Sequence, residues 1–312
     1  MISLIILALI FILIAVRRVG FIRFRIWQIM LLGALGVLIT GQISPLDAVR
    51  SINTDVILFL FGVFTIGRAL EESGYLAHLA SRFFSKAKTI DILMLAIIFG
   101  GGLLAALLMN DTLAIIGTPV VLALARKADM PPKILLLSLA FSVTIGSVMS
   151  PIGNPQNLLI AIHGEIANPF VTFFRYLFWP TVINLLLAYG LLRLLYRKHF
   201  HNRVIEYPEE KIIDVNLAKL ARASLILLLA MVLIKVIIVF AGWGFDLKLT
   251  YIALIAALPV ILGSRKRFGI VRRIDWSTLV FFAAMFILMA SVWNTGDFQK
   301  VTASLRINLA SS

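Results

Sequence analysis

The chain has 312 residues, 61% of them hydrophobic and only 14% charged, against about a quarter charged in ordinary soluble domains. Its formal charge is +14, its mean hydropathy +1.02, and it has no cysteine. Disulfides, thiolate metal sites and cysteine nucleophiles are therefore excluded, and apolar runs close to the ~20 residues that cross a bilayer predict an all-α polytopic membrane protein.

The first run, residues 2–16, carries its charges after the apolar stretch and shows no small-residue cleavage site. It reads as an uncleaved helix with its N-terminus outside, not as a signal peptide. Further runs predict helices near 27–43, 54–70, 90–109, 113–125, 133–149, 156–163, 169–195, 222–241, 248–262 and 276–293. The 29 lysines and arginines cluster between these runs and belong to no nucleic-acid-binding motif, so nucleic acid is not an expected partner. Arg17, Arg18, Arg23 and Arg25 follow the first helix, and Arg82, Lys86 and Lys88 follow the third. Arg126, Lys127 and Lys133 come next, then Arg193, Arg197, Lys198 and Arg203 before a polar linker, and "RKRFGIVRR" (265–273) before the last helix. Such clusters mark the cytoplasmic side of a cell-membrane protein.

These clusters share one side only if residues 90–125 enter and leave on it. The stretch "LLAALLMNDTLAIIGTPVVLALA" (103–125) then reads as a re-entrant hairpin turning near Asn110. Irregular backbone is tolerated at that depth where protein or a water-filled cavity surrounds it. Two full crossings are the alternative. A carboxylate near the bilayer centre costs ~2.5–3.5 kcal/mol on insertion scales and marks a functional site by default. Asn110, Asp111 and Thr112 supply oxygens suited to a sodium ion, and a desolvated Asp111 could instead exchange a proton. Asp111 could also simply cap the following helix. Thr118 and Pro119 in "IIGTPVV" kink or line the hairpin.

The second irregular element is "GSVMSPIGNPQNLLIAI" (146–162), with Pro151, Gly153 and Pro155 close together. Proline lacks the amide donor and clashes with the preceding turn, so 133–163 reads as one crossing built of two half-helices. An external loop is the alternative. Ser150, Asn154, Gln156 and Asn157 surround the freed backbone of Gly153, and a helix starting there would aim its amides at an anion.

"INTDVILFLFGVFTIGRALEESGYL" (52–76) aligns without a gap on "IDWSTLVFFAAMFILMASVWNTGDF" (274–298), with opposite polarity by the loop charges. Inverted repeats are a feature of secondary transporters; chance likeness of two apolar helices is the alternative. The expected organisation is a first repeat over 1–200, a cytoplasmic linker over 201–221 and an incomplete second repeat over 222–312. The tail "QKVTASLRINLASS" has no spanning run, so a truncated or frameshifted transporter is expected, with a half-size protein completed by another subunit as the alternative.

"NDTLAIIGTPVVLALAR" followed by "IGSVMSPIGNPQNLLIA" resembles the arsenite-pump and citrate-transporter branch of the ion transporter superfamily, related to the divalent-anion/sodium symporters. The resemblance implies inverted repeats, each with a re-entrant hairpin and a broken helix, and elevator-like alternating access. It implies substrate and ion binding at Asn110, Asp111, Thr112, Gly153, Asn154, Pro155 and Gln156. The expected function is ion-coupled secondary transport of a small anion, with sodium or a proton as coupling ion and no other cofactor. Arsenite or antimonite efflux, sodium–proton antiport and an inactive fragment are the alternatives, and a homodimer is an open assembly. An intramembrane enzyme is disfavoured: there is no HExxH motif, no cysteine and no second membrane aspartate beside Asp111.

Overall fold

Helices stop where proline, glycine and capping side chains interrupt the apolar runs. The computed structural model describes residues 2–16, 18–19, 22–84, 87, 89–164, 166, 168–200, 211–241, 247–296 and 299. Arg17, Lys86, Lys88, Arg203, residues 201–210 of the linker and 300–312 of the tail lie outside them.

The helices are α1 (Ile2–Val16), α2 (Ile26–Ile39), α3 (Pro45–Ser51), α4 (Thr54–Glu72) and α5 (Tyr75–Phe84). Next, α6 (Ile90–Leu95), a π-helical turn (Ala96–Gly100) and α7 (Gly101–Leu108) run on as one apolar stretch. They are followed by α8 (Asn110–Lys127), α9 (Pro132–Gly146) with a 3-10 turn (Ser147–Met149), and α10 (Pro155–His163). The remainder are α11 (Pro169–Leu195), α12 (Val215–Phe240), α13 (Leu249–Gly263), α14 (Arg267–Arg272) and α15 (Trp276–Asn294). A two-residue antiparallel ladder, Arg18–Val19 on Ile22–Arg23, is the only strand pairing among the described residues.

Among the described residues five stretches are long and apolar enough to cross a membrane: Ile90–Leu108, Pro132–Met149, Pro169–Leu195, Val215–Ile238 and Trp276–Asn294. The pair α3 and α4, bent by 54°, forms a further broken candidate. The protein is thus an all-α, multi-pass membrane protein, as its composition predicts. Hydropathy did not predict α3, α5 and α14, because short or amphipathic helices leave no apolar run. Two helices also begin earlier than expected. Asn110–Thr112 form the first turn of α8, where a loop was expected, and α12 starts at Val215, so 215–221 of the expected linker is helical. The cause of the second is Asp214, whose Oδ1 accepts from the Leu217 N–H at 3.0 Å and caps α12.

The chain divides into two compact units, Met1–Ile57 with Asp275–Ser312, and Leu58–Ile274. In the first, α2 packs on α15 and α1. Gly33 permits this: a Cβ there would lie 2.7 Å from Ile10 Cγ1 and 3.2 Å from Leu288 Cδ2. Buried Ser3 and Ser291 share a hydrogen bond of 2.9 Å between their hydroxyls. In the second unit α12 packs on α13, and α9 is surrounded by α7, α8 and α11. Gly62 brings α4 against α13, since a Cβ there would fall 2.8 Å from the Ala253 carbonyl.

A π turn departs from the regular α-helical hydrogen-bond spacing, and in this one the Ile97 and Ile98 carbonyls share the Gly101 N–H. Here the Ser142 hydroxyl of α9 donates to the Ile97 and Ile98 carbonyls, each at 2.9 Å. One turn further on, Gly102 and Gly146 touch backbone to backbone, and a Cβ on Gly146 would lie 2.2 Å from Gly102 Cα. The sequence leaves the role of Lys235 open; the structure buries it to 6% exposure, with Nζ donating to the Leu247 carbonyl at 2.7 Å.

Candidate functional site

The stretch α7–α8 is interrupted by a single residue. Met109 adopts φ 69°, and α8 begins at once with Asn110. A left-handed conformation at a non-glycine residue costs on the order of 1–3 kcal/mol and persists only where its surroundings enforce it. Met109 is fully buried, so packing supplies that enforcement. The Asn110 Oδ1 accepts from the Asp111 N–H at 2.8 Å, satisfying one first-turn donor of α8. Asp111 stands in the same first turn, half-buried, and Thr112 is half-buried beside it.

The second break lies in 150–154, between the 3-10 turn and α10. Asn154 caps α10: its Oδ1 accepts from the Asn157 N–H at 2.7 Å, and Pro155 fills the first helical position, where no donor is needed. The Asn154 Nδ2 donates to Ser147 Oγ at 3.3 Å. Asn157 reaches backwards, its Nδ2 lying 2.9 Å from the Val148 and Ser150 carbonyls and 3.4 Å from that of Ser147. Ser150 receives the Ile152 N–H on its hydroxyl at 3.3 Å and the Gly153 N–H on its carbonyl at 3.2 Å. The unwound backbone is thus tied to itself, and residues 150–154 are buried within the protein.

The two breaks meet. The Asn110 N–H donates to the Gly153 carbonyl at 2.8 Å, joining the start of α8 to the residue before the cap of α10. The N-terminal ends of two helices and the C-terminal end of α7 therefore lie at one junction. Helix N-termini favour anions through their unsatisfied N–H groups and dipole. The α7 carbonyls, the Asp111 carboxylate and the Thr112 hydroxyl offer oxygens to a cation. A third wall comes from α4, where Gly67 makes room for Thr112: a Cβ there would sit 2.7 Å from Thr112 Cγ2.

Asn110, Asp111, Ser150, Gly153 and Asn154 are within one residue or one hydrogen bond of the Asn110–Gly153 contact, Thr112 and Pro155 stand two residues from it, and Asn157 is joined to it through Asn154 and Ser150. Gln156 is exposed in the first turn of α10. Thr118 lies further along α8, and its hydroxyl donates to the Ala114 carbonyl at 2.6 Å, within its own helix. Sequence reasoning overlooked Ser147, which receives Asn154, and Gly67, which receives Thr112. The glycines in the apolar run of α4, Gly62 and Gly67, were the available signal for Gly67; the positive φ of Met109 has none.

Comparison with known proteins follows the same lines. The chain is 37% identical over 143 residues to the silicon efflux transporter LSI3 of Oryza sativa subsp. japonica, covering 46% of this chain and 29% of that protein. It is 27% identical over 192 residues to the putative transporter arsB of Dictyostelium discoideum, covering 60% of this chain and 34% of that one. An uncharacterized transporter of Synechocystis is 26% identical over 294 residues, covering 89% of this chain and 62% of that protein. The chain therefore spans about a third of the length of the first two relatives and less than two thirds of the third. The model of the citrate transporter family, CitMHS, matches residues 5–310, nearly the whole sequence, and the chain belongs to that family of transporters.

Proposed function

We propose that the protein is an ion-coupled secondary transporter of a small anion, holding substrate and coupling ion at the junction of α7, α8 and α10 and working by elevator-like alternating access. The observation that carries this reading is the Asn110–Gly153 hydrogen bond, which brings two helix breaks to one point inside an apolar protein. Broken helices whose N-terminal ends face an anionic group, with carbonyl ends left for the ion, are a recurring transporter arrangement. Asp111 has a reason to stay at that depth if it holds a sodium ion or carries a proton. Thr112 and Asn110 complete an oxygen set around it. The inverted repeat is supported by the exchange of third helices: α15, from the second copy, packs on α2, and α4, from the first, lies against α13.

The test is uptake into proteoliposomes holding the full chain. Radiolabelled citrate is offered first, with sodium and proton gradients imposed separately. The expected result is accumulation with one gradient only, lost in Asp111→Asn. Accumulation without either gradient, or unaltered rates in the variant, would overturn the reading. A second reading is efflux of small oxyacids, favoured by the relatives named silicon efflux transporter and arsB. Competition of silicic or arsenous acid against citrate separates the two.

A further inference from the structure

Beyond the transport site, a charged surface patch on α14 has chemistry of its own. This six-residue helix lies in the short connection between α13, which ends at Gly263, and α15, which begins at Trp276. So short a connection between two apolar helices cannot leave the membrane surface. Its orientation is set from both ends. Lys266 Nζ pairs with Asp214 Oδ2 at 2.8 Å, and Arg273 Nη1 pairs with Glu72 Oε1 at 3.2 Å. Ile270 is fully buried beneath, as is most of Ile274.

With those groups committed, the outward side presents Arg265, Arg267 and Arg272, all exposed, around Phe268, which is 78% exposed. Among the described residues none of these three arginines takes part in an ion pair. The Arg267 guanidinium stacks over the Phe268 ring at 5.2 Å. An aromatic ring standing in water among guanidinium groups is costly; at a bilayer surface the ring enters the acyl boundary and the arginines meet phosphates. Guanidinium groups bind phosphate through paired, charge-assisted hydrogen bonds.

We propose that Arg265, Arg267, Phe268 and Arg272 form a docking surface for anionic phospholipid headgroups of the leaflet that α14 borders. The two ion pairs hold the helix so that these three arginines stay on its exposed side. The patch contacts phosphate esters, and its neutral aromatic member adds insertion without charge selectivity.

The test is titration of the full chain, in nonionic detergent, with dansyl-labelled phosphatidylglycerol and phosphatidylcholine, read by energy transfer from tryptophan. Wild-type protein should prefer phosphatidylglycerol. The variant R265Q/R267Q/R272Q should lose at least fivefold of that preference, the equivalent of the ~1 kcal/mol that one basic side chain gains near an anionic surface. Phe268→Ala should weaken both lipids alike, and Arg50→Gln, at another exposed arginine, should change nothing. High salt should abolish the wild-type preference, a readout that needs no variant. An unchanged preference in the triple variant, an equal loss in R50Q, or salt-insensitive binding would overturn the proposal. So would displacement of the lipid by lower concentrations of polyglutamate, which would assign the patch to an acidic protein segment.

Discussion

Gly153 lies so close to Ser147 that a Cβ on it would fall 2.1 Å from the Ser147 carbonyl oxygen, a distance no side chain can occupy. The glycine is therefore a steric requirement of the break, and its own carbonyl is the acceptor for the Asn110 N–H at 2.8 Å. Gly153→Ala must push the two strands of the break apart, at a cost of about 1–3 kcal/mol for forced overpacking. The expected outcome is a lowered thermal midpoint and a loss of uptake larger than the loss of folded protein. Uptake falling only in proportion to folded protein would count against the junction.

Asp111→Asn keeps the shape of the side chain and removes its charge. Insertion and thermal midpoint should stay near wild type while uptake drops to background, measured in the same proteoliposome preparation. The paired variant Asp111→Glu separates charge from reach: partial uptake would show that the carboxylate is needed, and position tunes it.

Asn157 supplies an amide to the carbonyls of Val148 and Ser150. In Asn157→Asp an acceptor oxygen replaces that donor and faces the same carbonyls. Ser150 is buried, and leaving a buried polar group unmatched costs about 1–3 kcal/mol. The thermal midpoint should fall, and recover in part at acid pH, where a protonated carboxyl again donates.

Ser142 and Gly146 test the packing of α9 on α7. Ser142→Ala removes one of two donors to the Ile97 and Ile98 carbonyls, which keep the Gly101 N–H, and adds no atoms. Gly146→Ala puts a methyl 2.2 Å from Gly102 Cα, where only backbone movement can relieve it. The order of thermal midpoints should be wild type, then S142A, then G146A. The reverse order of the two variants would show that the carbonyls, not the glycine contact, hold these helices.

Asp214 gives a pH signature outside the membrane. Hydrogen bonding from the Leu217 N–H, then the Lys266 ammonium, holds its carboxyl below the usual carboxylate range. A carboxyl depressed in the folded state contributes stability above its unfolded pKa and loses it as pH falls through the folded value. Asp214→Asn should therefore lower the thermal midpoint at neutral pH and converge with wild type in acid. A constant gap across that range would remove Asp214 from the account.

Sequence alone determined that this is a multi-span helical membrane protein, roughly where its helices lie, and where two polar interruptions fall among them. It could do so because hydropathy is a local property: a run of apolar residues, a proline without a donor and a carboxylate in a greasy stretch each announce themselves in place. Which groups meet was decided only by the tertiary structure. Asn110 finds Gly153 across more than forty positions, and Thr112 finds Gly67 on another helix. Nothing local to Met109 announces a left-handed turn. Lys235, ambiguous in the sequence, is bound to a loop carbonyl once α12 and α13 are paired. Long-range contacts depend on how helices pack, and packing depends on steric fits, such as that of Gly102 against Gly146, that no composition or period records.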